Sequence, residues 1–318
     1  MTQSYKKEKR AGRRYGLIGT ITLDRISQQQ KPDWTGVGGV LYQGAVLCAL
    51  GKEVYLYTNL GQELVPETQK IIKNWTSLRK EGIRYFPGSG NQVHLHYPGS
   101  GERVEILKSV VPPLDPSVVL EELPGLDILI LVLNSGFDIE LPHWRQIVQR
   151  AGCPLWLDIH SLPLSRELNS PRQYLPLSDW KEWVRGATYV QANQKEIASV
   201  MGSPQKKPSQ NEIRHFSKRI FALGVKALFV TLGKQGVMVL TPGRRERISS
   251  AQVNKVVDTT GCGDVFCGAA AVSLVEGKDP FDAAASSLRL ASQAVKARGI
   301  EETFRCVKKW ATKGNFFL

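Results

Sequence analysis

The chain has 318 residues, 42% of them hydrophobic, with 42 Lys and Arg against 29 Asp and Glu and a formal charge of +13. That length and apolar content suit one large α/β domain or two small ones. The basic residues form no stripe interleaved with aromatics, which argues against a nucleic-acid partner, and a basic body instead favours attraction of an anionic substrate.

The first fourteen residues, "MTQSYKKEKRAGRR", are mostly polar and cationic and read as a disordered tail, leaving 15–318 as the folded domain. From Tyr15, short apolar runs alternate with amphipathic stretches. "YGLIGTI" predicts a strand, and "GVLYQGAVLCAL" predicts a helix closed by Gly51. "EVYLYT" predicts a strand, and "ELVPETQKIIKNWTSLRKEG" reads as mostly helix. "DILILVL" at 127–133 is apolar throughout, as a strand buried on both faces should be. Helix, strand, helix and strand follow in "LPHWRQIVQRAG", "PLWLDI", "LSDWKEWVRGA" and "TYVQA". Two further helices are expected in "NQKEIASVMG" and "NEIRHFSKRIFALG". "KALFVTL" and "GVMVLT" are separated by a short glycine turn, so they should pair antiparallel. After Asp258 the chain reads as helices at 262–276, 279–298 and 301–312. Strands alternating with helices predict a mainly parallel sheet covered on both faces. The segment 83–109 breaks that rhythm with alternating residues and two Pro-Gly turns, and predicts a β hairpin that lies against the domain as a lid.

No apolar h-region follows the N-terminal charges, and the longest clean apolar run, "ILILVL" at 128–133, is too short to cross a bilayer. The cysteines are Cys48, Cys153, Cys262, Cys267 and Cys306, with no CxxC pair, a spacing that suits neither a disulfide framework nor zinc. These features point to a cytoplasmic protein without a membrane partner.

The chemistry concentrates in "DTTGCGDVFCGAAAV", Asp258 to Val272. The first turn of a helix leaves backbone amides unpaired, and glycines let that backbone approach an anion closely. Gly261, Cys262 and Gly263 could thus cradle a phosphoryl group. Asp264 would lie beside it, placed to take a proton from an attacking hydroxyl. A glycine-rich N-cap with acids favouring the helix dipole is the plain structural alternative. The full Asp-Thr-Thr-Gly-x-Gly-Asp run followed by small residues is more specific than that alternative needs.

"DTTGCGDVFCGA" resembles the C-terminal signature of the ribokinase-like, or PfkB, carbohydrate kinases. The resemblance implies a three-layer α/β/α sandwich with a small β lid, and transfer of a phosphoryl group from ATP to a sugar hydroxyl. Asp264 would be the base and Gly261, Cys262 and Gly263 the anion hole. A thiol at a helix N-terminus makes a redox role for Cys262 conceivable, although a small hydrophobe that fits is the simpler reading. "GTITLD" resembles the family's opening strand, whose acid binds substrate hydroxyls and here is Asp24. Gly38 and Gly39 match the Gly-Gly helix that lines the sugar pocket. Asn193 and Glu196 match the motif that organises Mg2+, largely through water, and Thr231, Gly233 and Gly236 match the hairpin around ATP. Asp258 and Thr260 match positions that in many members face a monovalent cation, often K+. The lid of some relatives forms a dimer interface, which leaves a monomer or a homodimer through the lid.

Three departures lie on the substrate side. Gln43 stands where many members carry Asn, the Gly-Gly helix is one residue short, and Gly61-Gln62-Glu63 replaces a Gly-x-Asp. Asp158 and His160, after a sheet strand, are further substrate candidates, as are His94, His96 and Arg103 on the lid. The expected function is therefore an ATP-dependent kinase acting on a sugar or sugar-like alcohol. A nucleoside kinase of the same fold and a nucleotide-binding regulatory protein without turnover are the alternatives. A dinucleotide-dependent oxidoreductase is disfavoured because no G-x-G-x-x-G follows the first strand.

Overall fold

The computed structural model describes residues 12–28, 31–98, 103–314 and 316. Most of the expected basic tail therefore lies outside the described residues. Its last part belongs to the domain: Arg13 donates to Asp127 at 3.0 Å, and Arg14 opens the first strand.

In chain order the elements begin with β1 (Arg14–Ile18), β2 (Thr22–Gln28), β3 (Lys31–Val37), α1 (Leu41–Ala49) and β4 (Glu53–Gly61). Next come α2 (Val65–Ile72), β5 (Leu78–Arg79), β6 (Ile83–Phe86), β7 (Asn91–Tyr97), β8 (Val104–Ser109), α3 (Ser117–Leu120) and β9 (Ile128–Val132). The middle of the chain gives α4 (Leu141–Arg150), β10 (Leu155–Asp158), α5 (Trp180–Val184), β11 (Tyr189–Asn193), α6 (Gln194–Val200) and α7 (Gln210–Phe221). The last part holds β12 (Ala227–Thr231), β13 (Val237–Leu240), β14 (Arg245–Ile248), α8 (Cys262–Val275), α9 (Pro280–Ala294) and α10 (Gly299–Thr312).

The main sheet runs β14-β13-β12-β11-β10-β9-β1-β4-β5, with β6 added to β4. It is parallel from β5 to β12; β13 adds antiparallel, as the glycine turn after Thr231 predicts, and β14, which the sequence reading does not predict, adds antiparallel to β13. All five residues of β9 are buried. They divide by parity: Ile128, Ile130 and Val132 join the apolar cluster of α1, α8, α9 and α10, while Leu129 and Leu131 join that of α4, α5, α6 and α7. Two clusters on opposite faces of one sheet make the expected three layers. Each such fully buried aliphatic side chain stabilises the fold by about 1.5–3 kcal/mol.

The lid is built differently from the expectation. It is a separate four-stranded sheet in the order β3-β2-β7-β8, so residues 22–37 supply half of it. β6 is not part of it but pairs with β4 in parallel. β2 escaped the sequence reading because its inward face is Thr22, Asp24 and Ile26, with little apolar content to show. Ile26, Val93, Leu95 and Leu107 form the lid's own small core, with Trp34, Tyr97 and Phe137 against it. Arg25, His94, His96 and Lys108 occupy the alternate positions, and burial together with the Lys108 and Arg25 charges lowers the His94 pKa.

The expected long helix after β4 is also shorter. A 3-10 turn at Gln62–Leu64 leads into α2, which ends at Ile72 where Trp75 turns inward to stack on Phe304. Among the described residues no helix is long and apolar enough to cross a membrane.

Candidate active site

α8 is buried over most of its circumference, which its small residues make possible. A Cβ on Gly268 would approach Val46 to 3.1 Å, so α8 packs close on α1. The helix starts from Gly261, whose φ of 76° lies in the left-handed region that favours glycine. A side chain there would also meet the Tyr42 ring at 2.4 Å. Val265 N–H donates to Gly261 O at 2.8 Å and starts the ladder. The Cys262 amide donates to Thr259 O at 3.3 Å, so this member of the expected anion hole is engaged within its own turn. Gly263 lines the cavity at the helix's first turn, where amides lack acceptors within the helix.

Asp264 follows in that first turn, and a cavity of about 380 Å³ opens above it. Asp158 from the end of β10 and Glu196 from α6 line the same cavity, at the carboxyl ends of the strands where open α/β sheets gather ligands. All three carboxyls are buried. Burial raises the Asp264 pKa, while His160, the Gln43 hydrogen bond and Arg103 pull it back. Burial pushes Glu196 up to about 8, opposed by bonds from Asn193 and by the Arg103 charge. Asp158 is driven well above the carboxylate range by burial and by the charges of Glu196 and Asp264.

Asn193 and Glu196 meet as the motif predicts, but in a capping box. Asn193 Oδ1 accepts from the Lys195 and Glu196 amides at 2.8 and 3.0 Å, and Glu196 Oε2 accepts from Asn193 N–H at 2.7 Å. Asn193 Nδ2 donates to the other carboxylate oxygen. The pair thus starts α6 and at the same time presents a buried acid to the cavity. Thr231 lines the cavity as well; Gly233 and Gly236 form the following turn with φ of 59° and 95°. A Cβ on Gly236 would lie 2.0 Å from Ile248 O, so that turn requires glycine.

The substrate side departs from expectation. Asp24 lies on lid strand β2, not on the opening strand of the main sheet, and is 6% exposed. Thr22 donates to it at 2.6 Å, and its Oδ2 fills the space a Gly38 side chain would need. Burial raises its pKa to about 7. Gly39, at φ 64°, turns the chain into α1, where a Cβ would strike Thr20 O at 2.2 Å. Gln43 is fully buried and reaches Asp264: its Nε2 donates to Asp264 Oδ1 at 2.6 Å. Asp24, Gly38, Gly39 and Gln43 therefore surround the site without lining the cavity, whereas Arg103, Asp158 and His160 of the expected substrate residues line it. Thr260 borders the cavity too, while Asp258 faces a separate small pocket and accepts from Thr260 N–H at 2.9 Å. Among the described residues no group of three or more His, Cys, Asp or Glu could hold a metal ion directly. Burial, with Asp258 and Asp264 nearby, pushes the Cys262 thiol up to about 12, against the lowering that a redox role would need.

His160 lines the cavity and adopts φ 41°, an uncommon conformation for a residue with a side chain. Tyr97, Ser161, Leu164, Tyr174, Gln191 and Thr259 complete the wall and were not singled out in the sequence. His94 and His96 alternate with the inward-facing residues of β7 and take no part in the cavity. Gln191 is a bridge, donating to Asp158 Oδ2 at 3.0 Å and to Gly263 O at 3.1 Å.

The pfkB family carbohydrate kinase model matches residues 166–304, which include Asn193, Glu196 and the α8 turn. The ribokinase of Bacillus subtilis is 35% identical over 303 residues, covering 90% of this chain and 94% of that one. The chain belongs to the pfkB family of carbohydrate kinases. The family's fold is equally plain in three dimensions. Ribokinase of Arabidopsis thaliana, in a structure with ribose and ATP, superposes with a TM-score of 0.71 at 19% identity, covering 94% of this chain and 99% of that one. A nucleoside kinase of Burkholderia thailandensis in complex with inosine gives a TM-score of 0.74 at 19% identity, covering 95% and 97%. Other curated relatives match over shorter stretches, and two ribokinases are covered over only 45% and 41% of their length.

Proposed function

We propose that this family member transfers a phosphoryl group from ATP to a hydroxyl of a sugar or sugar-like molecule, with Asp264 as the general base. The observation that carries the reading is Asp264 in the first turn of α8, buried, and opening on the same cavity as Gly263, Glu196 and Thr231. The acceptor hydroxyl lies against Asp264, which takes its proton as the oxygen attacks phosphorus. The helix N-terminus at Gly263 stabilises the charge that develops on the moving group. Arg103, reaching in from the lid, adds a positive charge over the cavity. A lid that excludes water protects ATP from hydrolysis, because water is the competing nucleophile.

Asp158, Glu196 and Asp264 are buried together with too little positive charge to offset them, and such hard oxygen donors suit Mg2+. Glu196 and Asp158 would hold it through water, since both Glu196 oxygens already accept from Asn193. Bound there, Mg2+ supplies charge neutralisation of the phosphates. The experiment is turnover of purified protein with ATP, Mg2+ and a panel of pentoses, hexoses, polyols and nucleosides. A phosphorylated sugar supports the reading, a preference for nucleosides moves the acceptor class, and ATP binding without turnover on any acceptor overturns it.

A further inference from the structure

The segment between His160 and Trp180 carries no motif, yet its Arg172 is the most completely enclosed cation near the site. Its side chain has no exposure, and each of its three nitrogens has a partner. Nη1 donates to Glu105 Oε1 at 2.9 Å, Nε to Ser165 O at 3.0 Å, and Nη2 to Ser135 O and Ser161 O at 2.9 and 3.4 Å. Glu105 is on lid strand β8, and its other oxygen accepts from Arg103 at 3.2 Å. Ser161 follows His160, and Ser135 is itself held by Asp138. One guanidinium therefore joins the lid, the end of β9 and the end of β10. The backbone repeats the link: Arg172 N–H donates to Glu105 O at 2.8 Å, and Asn169 N–H to Leu107 O at 2.9 Å.

We propose that Arg172 is a positioning residue that clamps the lid onto the main domain and, through Glu105, aims Arg103 at the acceptor cavity. The planar fork matters as much as the charge. Four acceptors spread over Nε, Nη1 and Nη2 match a guanidinium fork, and a lysine ammonium cannot reach them together. Burial lowers the Arg172 pKa and the Glu105 charge opposes that, so the ion pair is what makes a buried cation tolerable here. In the clamped lid the Arg103 side chain is anchored by Glu105 and by a side-chain hydrogen bond with Tyr97.

The proposal rests on the kinase reading for its catalytic arm, and a second arm does not need it. The variants are Arg172→Lys, Glu105→Gln, Arg103→Met and the double variant Arg172→Lys/Arg103→Met. With whichever acceptor wild type phosphorylates, Arg172→Lys should raise the acceptor KM about tenfold or more, the usual scale for loss of a charge-assisted bond. It should also raise the ratio of ATP hydrolysis to acceptor phosphorylation. In acceptor KM the double variant should be no worse than Arg103→Met, since the aiming at the acceptor cavity runs through Arg103. Independent, multiplying effects on acceptor KM would overturn the aiming of Arg103. In the second arm, hydrogen exchange is followed at 104–109 and 165–175 without any ligand. Exchange there should rise about tenfold in Arg172→Lys while α8 and β9 stay unchanged. Unchanged exchange at 104–109 would overturn the clamp even if wild type proved inert on every acceptor. If Arg172→Lys does not fold, Glu105→Gln breaks the same ion pair without touching the buried arginine and is read the same way.

Discussion

Gln43→Leu isolates what the neighbour of the base does. Gln43 donates to Asp264 Oδ1 at 2.6 Å, and this bond is among the forces that oppose the rise burial imposes on the Asp264 pKa. A hydrogen bond to a charged group contributes about 1.5–3 kcal/mol. At 1.36 kcal/mol per tenfold, its loss should raise the pKa of Asp264 and lower activity on the acid side of the profile about 10–100-fold. The sign follows from the chemistry. Asp264 must be ionised to accept a proton, so activity rises with pH through its pKa, and the acid limb of kcat/KM should move to higher pH. On the alkaline plateau the variant should approach wild type. Stability should change little, because Gln43 Oε1 is buried without a partner among the described residues and leucine removes that orphan. The assay is kcat/KM for the acceptor between pH 5 and 9, with thermal melting as a control. An acid limb that stays in place while activity falls evenly at every pH would refute the reasoning and make Gln43 a packing residue only.

Other predictions follow from the same geometry. Gly261→Ala forces a side chain into the left-handed region and against Tyr42, so it should cost at least about 1–2 kcal/mol in thermal melting and abolish phosphoryl transfer. Stability without ligands should depend on pH through the buried acids. Asp24 at about 7 and Glu196 at about 8 both lie above their unfolded values, so the folded state binds the extra protons. Their contribution is complete below pH about 4 and is lost as pH rises through 7–8. Glu196→Gln should flatten that decline, as read by denaturant titration from pH 5 to 9. Mg2+ together with ATP should raise the melting temperature more at pH 8 than at pH 6, because the ion favours the charged form of the acids.

The central part of this molecule is legible in the sequence because its signals are local. β9 shows as a continuous apolar run, and α8 shows as glycines and small residues where a close approach requires them. Asp264, the proposed base, stands out because it adjoins the turn that places it. The lid's first hairpin is not legible: β2 presents one buried aliphatic, Ile26, and an acid that pairs with Thr22. β14, "RERI", is exposed and carries its arginines outward, so no alternation marks it. Gln43 could be recognised as unusual, but nothing in the sequence says that its longer side chain reaches Asp264, 221 positions away. Arg172 and Glu105 are 67 positions apart, in segments whose shared position depends on how lid and domain dock. Tyr97 and Tyr174 join the cavity for the same reason.

Asp264→Asn tests the central claim most directly. The carboxamide keeps size and shape but cannot take the acceptor's proton, and loss of a general base typically lowers turnover about 10²–10⁴-fold. The measurement is kcat on the best acceptor alongside ATP affinity by calorimetry. The account predicts a fall of that size with ATP affinity within a few-fold of wild type. Turnover near wild type would contradict it and remove Asp264 from the chemistry.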